Sequence, residues 1–182
     1  MTDKTIPTPE ELRKLLRYEP ETGKLFWLPR PEDMFATHLA FVMWNKRFPG
    51  KEALTAVSHG YKNGRVNYGL YMAHRVIWAM EMGEWPRNEI DHINGNRMDN
   101  RIVNLRAATH SENQMNRGPQ KNSNSGVKGV FYHSLSRKWQ AQIKINGVQQ
   151  HIGLFETIEG AAEAYRTAAE KLHGEFARIA WE

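Results

Sequence analysis

The pattern of apolar and polar residues is most regular in the last third of the chain. Runs in which the two kinds of residue alternate predict three strands, at residues 126–133, 139–145 and 149–154. Apolar residues at helical spacing then predict a helix that begins after Thr157, a suitable N-cap, and ends at Gly174. The pattern therefore predicts a small three-stranded antiparallel sheet packed on one helix.

The same alternation assigns the side chains of this sheet to two faces. The apolar side chains of the central strand face the helix, so the opposite face is left open. The open face carries a set of hydrogen-bonding side chains: Lys128, His133, Gln142, Lys144, Gln149 and His151. Such a face is suited to contact phosphates and base edges in a DNA major groove, and an ordinary polar outer face explains the same pattern.

Shorter patterns organise the first half of the chain. Thr8 followed by proline predicts the start of a helix, and the residues from Lys24 to Leu28 indicate a strand. Residues 32–55 fit either a helix or an irregular segment around the core. An Asn63-Gly64 turn between alternating residues predicts a β-hairpin, and a helix is predicted from Arg75 to Met82. The fold class indicated by these elements is α+β.

Polar chemistry is concentrated between these two parts, in the stretch DHINGNRMDNRIVNLRAATHSEN at residues 91–113. Asp91 and His92 run into an Asn-Gly turn, a second extended piece follows, and Thr109 with Glu112 forms a capping box that opens a helix. The predicted order is strand, loop, strand, helix. A carboxylate, an imidazole and several amides brought together in this way are typical of a nuclease active site.

Composition and charge narrow the function further. The chain has no cysteine, which excludes disulfides and thiolate zinc sites, and its apolar runs are too short to span a bilayer. We therefore expect a soluble protein with no membrane partner. The net charge is +5 at pH 7, and no acidic residue lies between Asn113 and Phe155. A stretch of one sign favours a polyanion such as nucleic acid, although a solvated face has the same pattern.

The segment AHRVIWAMEMGEWPRNEIDHINGNRMDNRIVNLRAATHSENQMNR resembles the HNH endonucleases of the ββα-metal type, in the branch found in phages and among intron-encoded homing enzymes. The resemblance implies a metal-dependent endonuclease that hydrolyses phosphodiester bonds in double-stranded DNA. It makes His92 the general base, and gives Asn104 the task of orienting His92 through the other ring nitrogen. Asp91 and Asn113 would bind one metal ion per active site.

The last position of the HNH triplet is Asn113 instead of histidine, which is a departure from the family pattern that some intron-encoded members share. The two metal ligands, Asp91 and Asn113, then offer only oxygen atoms. Oxygen ligands favour a hard ion that keeps waters and accepts phosphate oxygens, so the expected ion is Mg²⁺ or Mn²⁺ rather than Zn²⁺.

The last part of the chain, from GVKGVFYHSLSRKWQAQIKINGV to EKLHGEFARI, resembles the apetala-type (ethylene-response-factor) DNA-binding domain. That resemblance implies a three-stranded sheet that reads the major groove. At the positions that face DNA in this family, plant members mostly have arginine and tryptophan, and this chain has other residues. Its base specificity is therefore expected to differ from theirs. The candidate DNA-binding residues of the whole chain are Arg106, Arg117, Lys121, Lys128, His133, Arg137, Gln142, Lys144, Gln149 and His151.

These features predict an N-terminal extension (1–58) that packs on the nuclease, an HNH domain (59–117), a basic linker (118–125) and an apetala-type domain (126–180). The expected location is the cytoplasm of a bacterium or of a phage-infected host cell. Two rival functions stay open: a sequence-specific DNA-binding regulator with a silent HNH module, and an RNA-binding or RNA-cleaving module.

Overall fold

The fold is mixed α+β, as expected. A computed structural model of the chain describes residues 6–67, 69–120, 122–145 and 147–178. The chain divides into two compact units, residues 1–107 and 108–182. Lys121, a predicted DNA contact, lies outside the described residues. The predicted domain limits at 58, 117 and 125 stay predictions.

The first unit contains short helices and small sheets. Its helices are α1 (Pro9–Leu15), α2 (His38–Arg47) and α3 (Ala73–Met82). Its strands are β1 (Leu16–Glu19), β2 (Lys24–Trp27), β3 (Glu52–Ala53), β4 (Ala56–Ser58), β5 (Tyr61–Val66), β6 (Gly69–Met72), β7 (Glu89–His92) and β8 (Leu105–Ala108). The sheet orders are β1-β2-β3, β4-β5-β6 and β7-β8, and the strands of the first two sheets pair antiparallel.

Local sequence signals account for the helices of this unit. Thr8 caps α1 as predicted: its hydroxyl accepts from the Glu11 amide, and the Glu11 carboxylate accepts from the Thr8 amide. Gly83 ends α3 in the left-handed conformation, with φ of 78°. Apolar side chains of α1, β1 and α3 meet in the core, where Leu12, Leu16 and Ile77 are fully buried. Burial of this kind stabilises the unit because apolar surface leaves water.

The predicted turn at Asn63-Gly64 is wrong. Both residues lie inside β5, and the hairpin turns farther along the chain, after Val66, which pairs with Gly69. A Cβ on Gly64 would lie 2.7 Å from the Leu54 Cα. This glycine therefore permits a close backbone approach within the sheet, and the Asn-Gly pair does not form a turn.

The second unit contains the sheet and helix predicted from the alternating pattern. Its elements are α4 (His110–Met115), β9 (Val130–His133), β10 (Lys138–Ile145), β11 (Val148–Phe155) and α5 (Ile158–His173). The strands pair antiparallel in the order β11-β10-β9. Ala141 and Ile143 of β10 pack with Ala161, Tyr165 and Ala169 of α5. The predicted three-stranded sheet and its helix-facing side are confirmed.

A close approach in this unit depends on a second glycine. Gly129 has φ of 72°, and a Cβ at this position would lie 2.3 Å from the Gln142 carbonyl oxygen and 2.4 Å from the Tyr165 ring. The Gln142 amide also donates to the Gly129 carbonyl at 2.8 Å. Glycine here lets the chain enter the sheet beside α5. Within the described ranges, no helix is long and apolar enough to cross a membrane.

Candidate active site

Two ionisable side chains lie side by side at the end of β7. Asp91 and His92 are buried, with exposed fractions of 4% and 3%. They follow Ile90, which belongs to the apolar core, so the strand carries them inward. Buried polar groups need hydrogen-bond partners, and the partners of this pair define the site.

The imidazole of His92 is surrounded by polar and aromatic groups of the first unit. Its Nε2 lies 3.0 Å from the Oδ1 of Asn100, and its ring centroid lies 5.1 Å from that of His74 and 5.8 Å from that of Tyr61. Burial lowers the pKa of His92 below its usual value, although the Asn100 contact and the Asp91 charge oppose the shift. The ring is therefore neutral at pH 7, as a general base must be.

His74 is the second imidazole of this cluster. It is buried, and burial lowers its pKa to about 3. Its neutral ring stands edge-on to His92, with an interplanar angle of 76°. It therefore packs against His92 as an uncharged group.

Asn104 does not make the contact that the resemblance implied. Its Oδ1 accepts from the Asn94 amide at 3.0 Å, and its Nδ2 donates to the Asp99 carbonyl at 2.8 Å. Among the described residues it makes no hydrogen bond to His92. Asn104 instead connects parts of the loop that joins β7 to β8, because its side chain bonds to the backbone near the start of that loop and in its middle. A side chain that does lie within hydrogen-bond distance of the His92 ring is that of Asn100.

Asn100 was missed because the loop contains several asparagines and their sequence spacing does not say which one reaches the ring. The loop path that decides this is set by other contacts. Asp99 accepts from the Arg101 guanidinium at 2.6 and 2.8 Å and from the Asn94 amide group at 2.8 Å. The Arg101 contact holds the pKa of Asp99 down, to about 2. These bonds hold the chain on either side of Asn100.

Arg106 differs from its predicted role as a DNA contact. Its Nε and Nη2 lie 2.9 and 2.8 Å from the Oδ2 of Asp91. The Arg106 side chain is 13% exposed and that of Asp91 is 5% exposed, so this ion pair is shielded from water. A charge-assisted hydrogen bond and an ion-pair contact to the same oxygen orient the carboxylate. Arg106 therefore belongs to the buried site.

The residues that would hold a metal ion offer hard oxygen donors. Asp91 has its carboxylate at the end of β7 in the first unit, and Asn113 has its amide on α4 in the second unit; that the two bind one ion stays a prediction. In the part of the chain that the structure describes, no group of three His, Cys, Asp or Glu residues could hold a metal. The donor chemistry fits a hard cation that takes its remaining ligands from water or phosphate.

The open face of the C-terminal sheet brings several predicted DNA contacts together. Gln142 pairs directly with His151 across β10 and β11, and Lys144 pairs with Gln149. Directly opposed residues of antiparallel strands project from the same face. Lys144, Gln149 and His151 are exposed, so the structure presents them to solvent as expected.

Lys128 was predicted to lie on this face, but its ammonium group is engaged elsewhere. Its Nζ donates to the Gln114 carbonyl at 2.8 Å and to the Met115 carbonyl at 2.7 Å. These are carbonyls at the end of α4, where a cation is favourable. Burial lowers the pKa of Lys128 to about 8. Lys128 therefore binds carbonyls at the end of a helix and also lines the cleft formed with Gln142 and Lys144. Its contact with DNA stays a prediction.

The other predicted contacts lie in turns and loops of the second unit. His133 Nδ1 lies 2.8 Å from the Ser136 hydroxyl, and the exposed Arg137 has a positive φ of 58° in the β9–β10 turn. Arg117 donates to the Gln114 side chain at 3.3 Å. Arg117, Gln142 and Lys144 line one cleft of about 1410 Å³. Part of the predicted set therefore shares one concave surface.

Comparison with known proteins assigns the central segment to a family. Residues 71–115 match a family described as HNH endonuclease. Protein 3.8 of Escherichia phage T7 is 35% identical over 107 residues, which are 58% of this chain and 88% of that protein. An uncharacterized HNH endonuclease of Acanthamoeba polyphaga mimivirus is 36% identical over 111 residues, 60% of this chain and 57% of that protein. No solved structure is significantly similar to the chain.

The family match contains β7, β8 and α4, and with them Asp91, His92, Asn104 and Asn113. The resemblance to HNH endonucleases is confirmed for this segment. The resemblance of residues 126–180 to apetala-type domains stays a prediction.

Proposed function

Because the chain belongs to the HNH endonuclease family, we propose that it is a metal-dependent endonuclease that hydrolyses phosphodiester bonds of double-stranded DNA. The observation that carries this proposal is the buried pair of Asp91 and His92 at the end of β7, inside the matched segment. A neutral imidazole next to a carboxyl group would supply a base and a cation ligand in adjacent positions. Hydrolysis of a phosphodiester requires both.

In this reaction His92 takes a proton from a water molecule. The water oxygen attacks phosphorus as the bond to the 3′ oxygen breaks, which leaves a 5′ phosphate and, after the 3′ oxygen is protonated, a 3′ hydroxyl. The lowered pKa of His92 supports this role, since the ring is ready to accept a proton at neutral pH. Asn104 contributes by fixing the backbone conformation of the loop between β7 and β8.

Asp91 and Asn113 would hold Mg²⁺ or Mn²⁺. Such an ion, when bound, supplies positive charge that stabilises the charge developing on the phosphoryl and leaving oxygens. Arg106 orients the Asp91 carboxylate in advance. The proposed ion count is one per active site, because the proposed ligand set has one carboxylate.

We further propose that the open face of the C-terminal sheet binds the DNA major groove. The cross-strand pairs Gln142–His151 and Lys144–Gln149 place amide, imidazole and ammonium groups on one face. Amide side chains recognise base edges, while basic side chains contact phosphates. Arg117, Lys121 and Arg137 are the candidates for further phosphate contacts. The absence of acidic residues from Asn113 to Phe155 supports this assignment.

Removal of the metal tests the proposed function. Purified protein incubated with supercoiled plasmid and Mg²⁺ is expected to convert it to nicked or linear DNA, and excess EDTA should abolish the conversion. The measurement is agarose gel electrophoresis over time. Unchanged plasmid with both Mg²⁺ and Mn²⁺ would contradict the proposal. If a gel shift then showed tight, sequence-specific duplex binding that survives Asp91→Ala, the regulator would be the better description.

The pH dependence of cleavage tests the base. His92 acts in its neutral form, and burial places its pKa below the usual value of 6.5. The single-turnover rate constant should therefore stay nearly constant from pH 8 to pH 6.5 and decline only in more acidic solution, as the ring becomes protonated. A decline with its midpoint above pH 6.5 would contradict this assignment.

A further inference from the structure

We propose that Asn100 is the positioning residue for His92, and that the N-terminal hairpin of β1 and β2 holds Asn100 in place. The inference rests on the proposed function, in which His92 is the base, and it assigns a task to residues outside the matched segment 71–115. It also replaces the orienting role that the resemblance gave to Asn104.

The first step is the contact between the two side chains. Asn100 Oδ1 lies 3.0 Å from His92 Nε2, and Asn100 is 1% exposed. An amide oxygen accepts hydrogen bonds and does not donate them, so Nε2 carries the hydrogen. In this tautomer the basic lone pair of the ring is on the other nitrogen, Nδ1. The contact therefore determines which of the two ring nitrogens is the basic one.

The second step is the cost of placing Asn100 here. Its Nδ2 is buried and has no hydrogen-bond partner among the described residues. Leaving a buried donor unsatisfied is unfavourable, and leucine at this position would avoid that cost. The hydrogen bond from His92 to Oδ1 gives a reason for asparagine at this position, although Nδ2 has no partner among the described residues.

The third step is the contact with the N-terminal hairpin. The hydroxyl of Tyr18 in β1 donates to the Asn100 carbonyl at 3.3 Å and accepts from the Ile102 amide at 2.7 Å. Burial raises the pKa of Tyr18, so the hydroxyl stays protonated and able to do both. One side chain of the hairpin thereby fixes the backbone on either side of Arg101.

Gly23 completes the support. It lies in the turn between β1 and β2 with φ of 68°, and a Cβ there would lie 2.5 Å from the Arg101 amide nitrogen and 2.6 Å from the Asn100 carbonyl carbon. The hairpin backbone therefore rests directly against the peptide that joins Asn100 to Arg101. A Cβ at position 23 would clash with this peptide, so the close approach requires glycine. The N-terminal extension thus sets the position of the amide that orients the base.

The test is the tautomer of His92, measured by ¹⁵N NMR on histidine-labelled protein in EDTA at pH 8, with His92→Ala used for assignment. In the unsubstituted protein we expect the hydrogen on Nε2, protected from exchange with water. Asn100→Ala should remove that protection and produce both tautomers, whereas Asn100→Asp keeps an acceptor and should keep the Nε2 hydrogen. Asn96→Ala is the matched control in the same loop, since Asn96 accepts from the Met98 amide. Its spectrum should be unchanged at His92.

Cleavage kinetics add a second readout. Asn100→Ala should lower kcat by about 10- to 100-fold, the range typical of losing a partner that orients a histidine, with KM for plasmid changed less than about twofold. Tyr18→Phe should lower kcat in the same direction by a smaller factor, and Asn96→Ala should not change it. A hydrogen on Nδ1 in the unsubstituted protein, or an unchanged His92 spectrum in Asn100→Ala, would overturn the inference. If Asn100→Ala fails to fold, the spectra of the unsubstituted protein and of Asn100→Asp decide. An inactive unsubstituted protein would contradict the proposed function, and the NMR result would still decide the role of Asn100.

Discussion

Replacing His92 with alanine is expected to lower the single-turnover rate constant of plasmid cleavage by about 10²- to 10⁴-fold, the contribution typical of a general base. The substitution removes the proton acceptor and leaves Asp91 and the sheet face intact. Binding of DNA, measured by gel shift in Ca²⁺ or EDTA, should therefore stay within about twofold of the unsubstituted protein, since loss of a group that acts only in the transition state does not change substrate binding.

The matched control is His38→Ala. His38 lies on α2, its side chain is 72% exposed, and its Nδ1 contacts the Glu32 carboxylate at 2.7 Å. The same chemical change at this surface position should leave the rate constant unchanged. A His92→Ala protein that folds, binds DNA and retains more than about a tenth of the rate would contradict the role of His92, because the loss would fall below the range expected for a general base.

Replacing Arg106 with alanine is expected to lower the free energy of unfolding by about 3–5 kcal/mol, the usual cost of removing one partner of a buried ion pair. The reason is the Asp91 carboxylate, whose side chain is 5% exposed and whose Oδ2 would lose both guanidinium contacts. The measurement is urea denaturation in EDTA, which keeps bound cations from replacing the arginine.

Two variants sharpen this test. Arg166→Ala removes a partner of an exposed pair, Arg166 with Glu163, whose side chains are 49% and 62% exposed. It should cost less than about 1 kcal/mol, as exposed pairs usually do. Adding Asp91→Asn to Arg106→Ala should recover part of the lost stability, because the buried charge is then gone. Equal losses from Arg106→Ala and Arg166→Ala would show that the Asp91–Arg106 pair is not shielded.

Signals that act within a few residues were predicted well from the sequence. The capping boxes at Thr8–Glu11 and Thr109–Glu112 start α1 and α4 where expected, because the side chains bond to amides of their own first turn. The alternation in β10 gave the correct helix-facing side of the sheet, since a strand that is buried on one face must alternate. Such patterns are independent of the rest of the chain.

Contacts between distant segments could not be predicted in the same way. Asn63-Gly64 has a turn sequence, but both residues lie in β5, where the glycine backbone packs closely against Leu54. Asn100 and Asn104 are alike as residues, and the loop path alone gives one of them to His92 and the other to the backbone. Arg106 was assigned to DNA because arginines are usually exposed, whereas its neighbour across β7 and β8 is a buried carboxylate. In each case the role of the residue depends on a neighbour that only the folded structure brings close to it.

The chemistry of the nicked product tests the central claim most directly. Attack of water on phosphorus with departure of the 3′ oxygen leaves a 3′ hydroxyl and a 5′ phosphate, the two ends that DNA ligase joins. Plasmid nicked by the unsubstituted protein in Mg²⁺ should therefore be resealed by ligase without further enzymes, and the His92→Ala protein should yield no product to reseal in the same time. Nicks that ligase cannot close, or equal nicking by both proteins, would contradict hydrolysis by a His92-activated water.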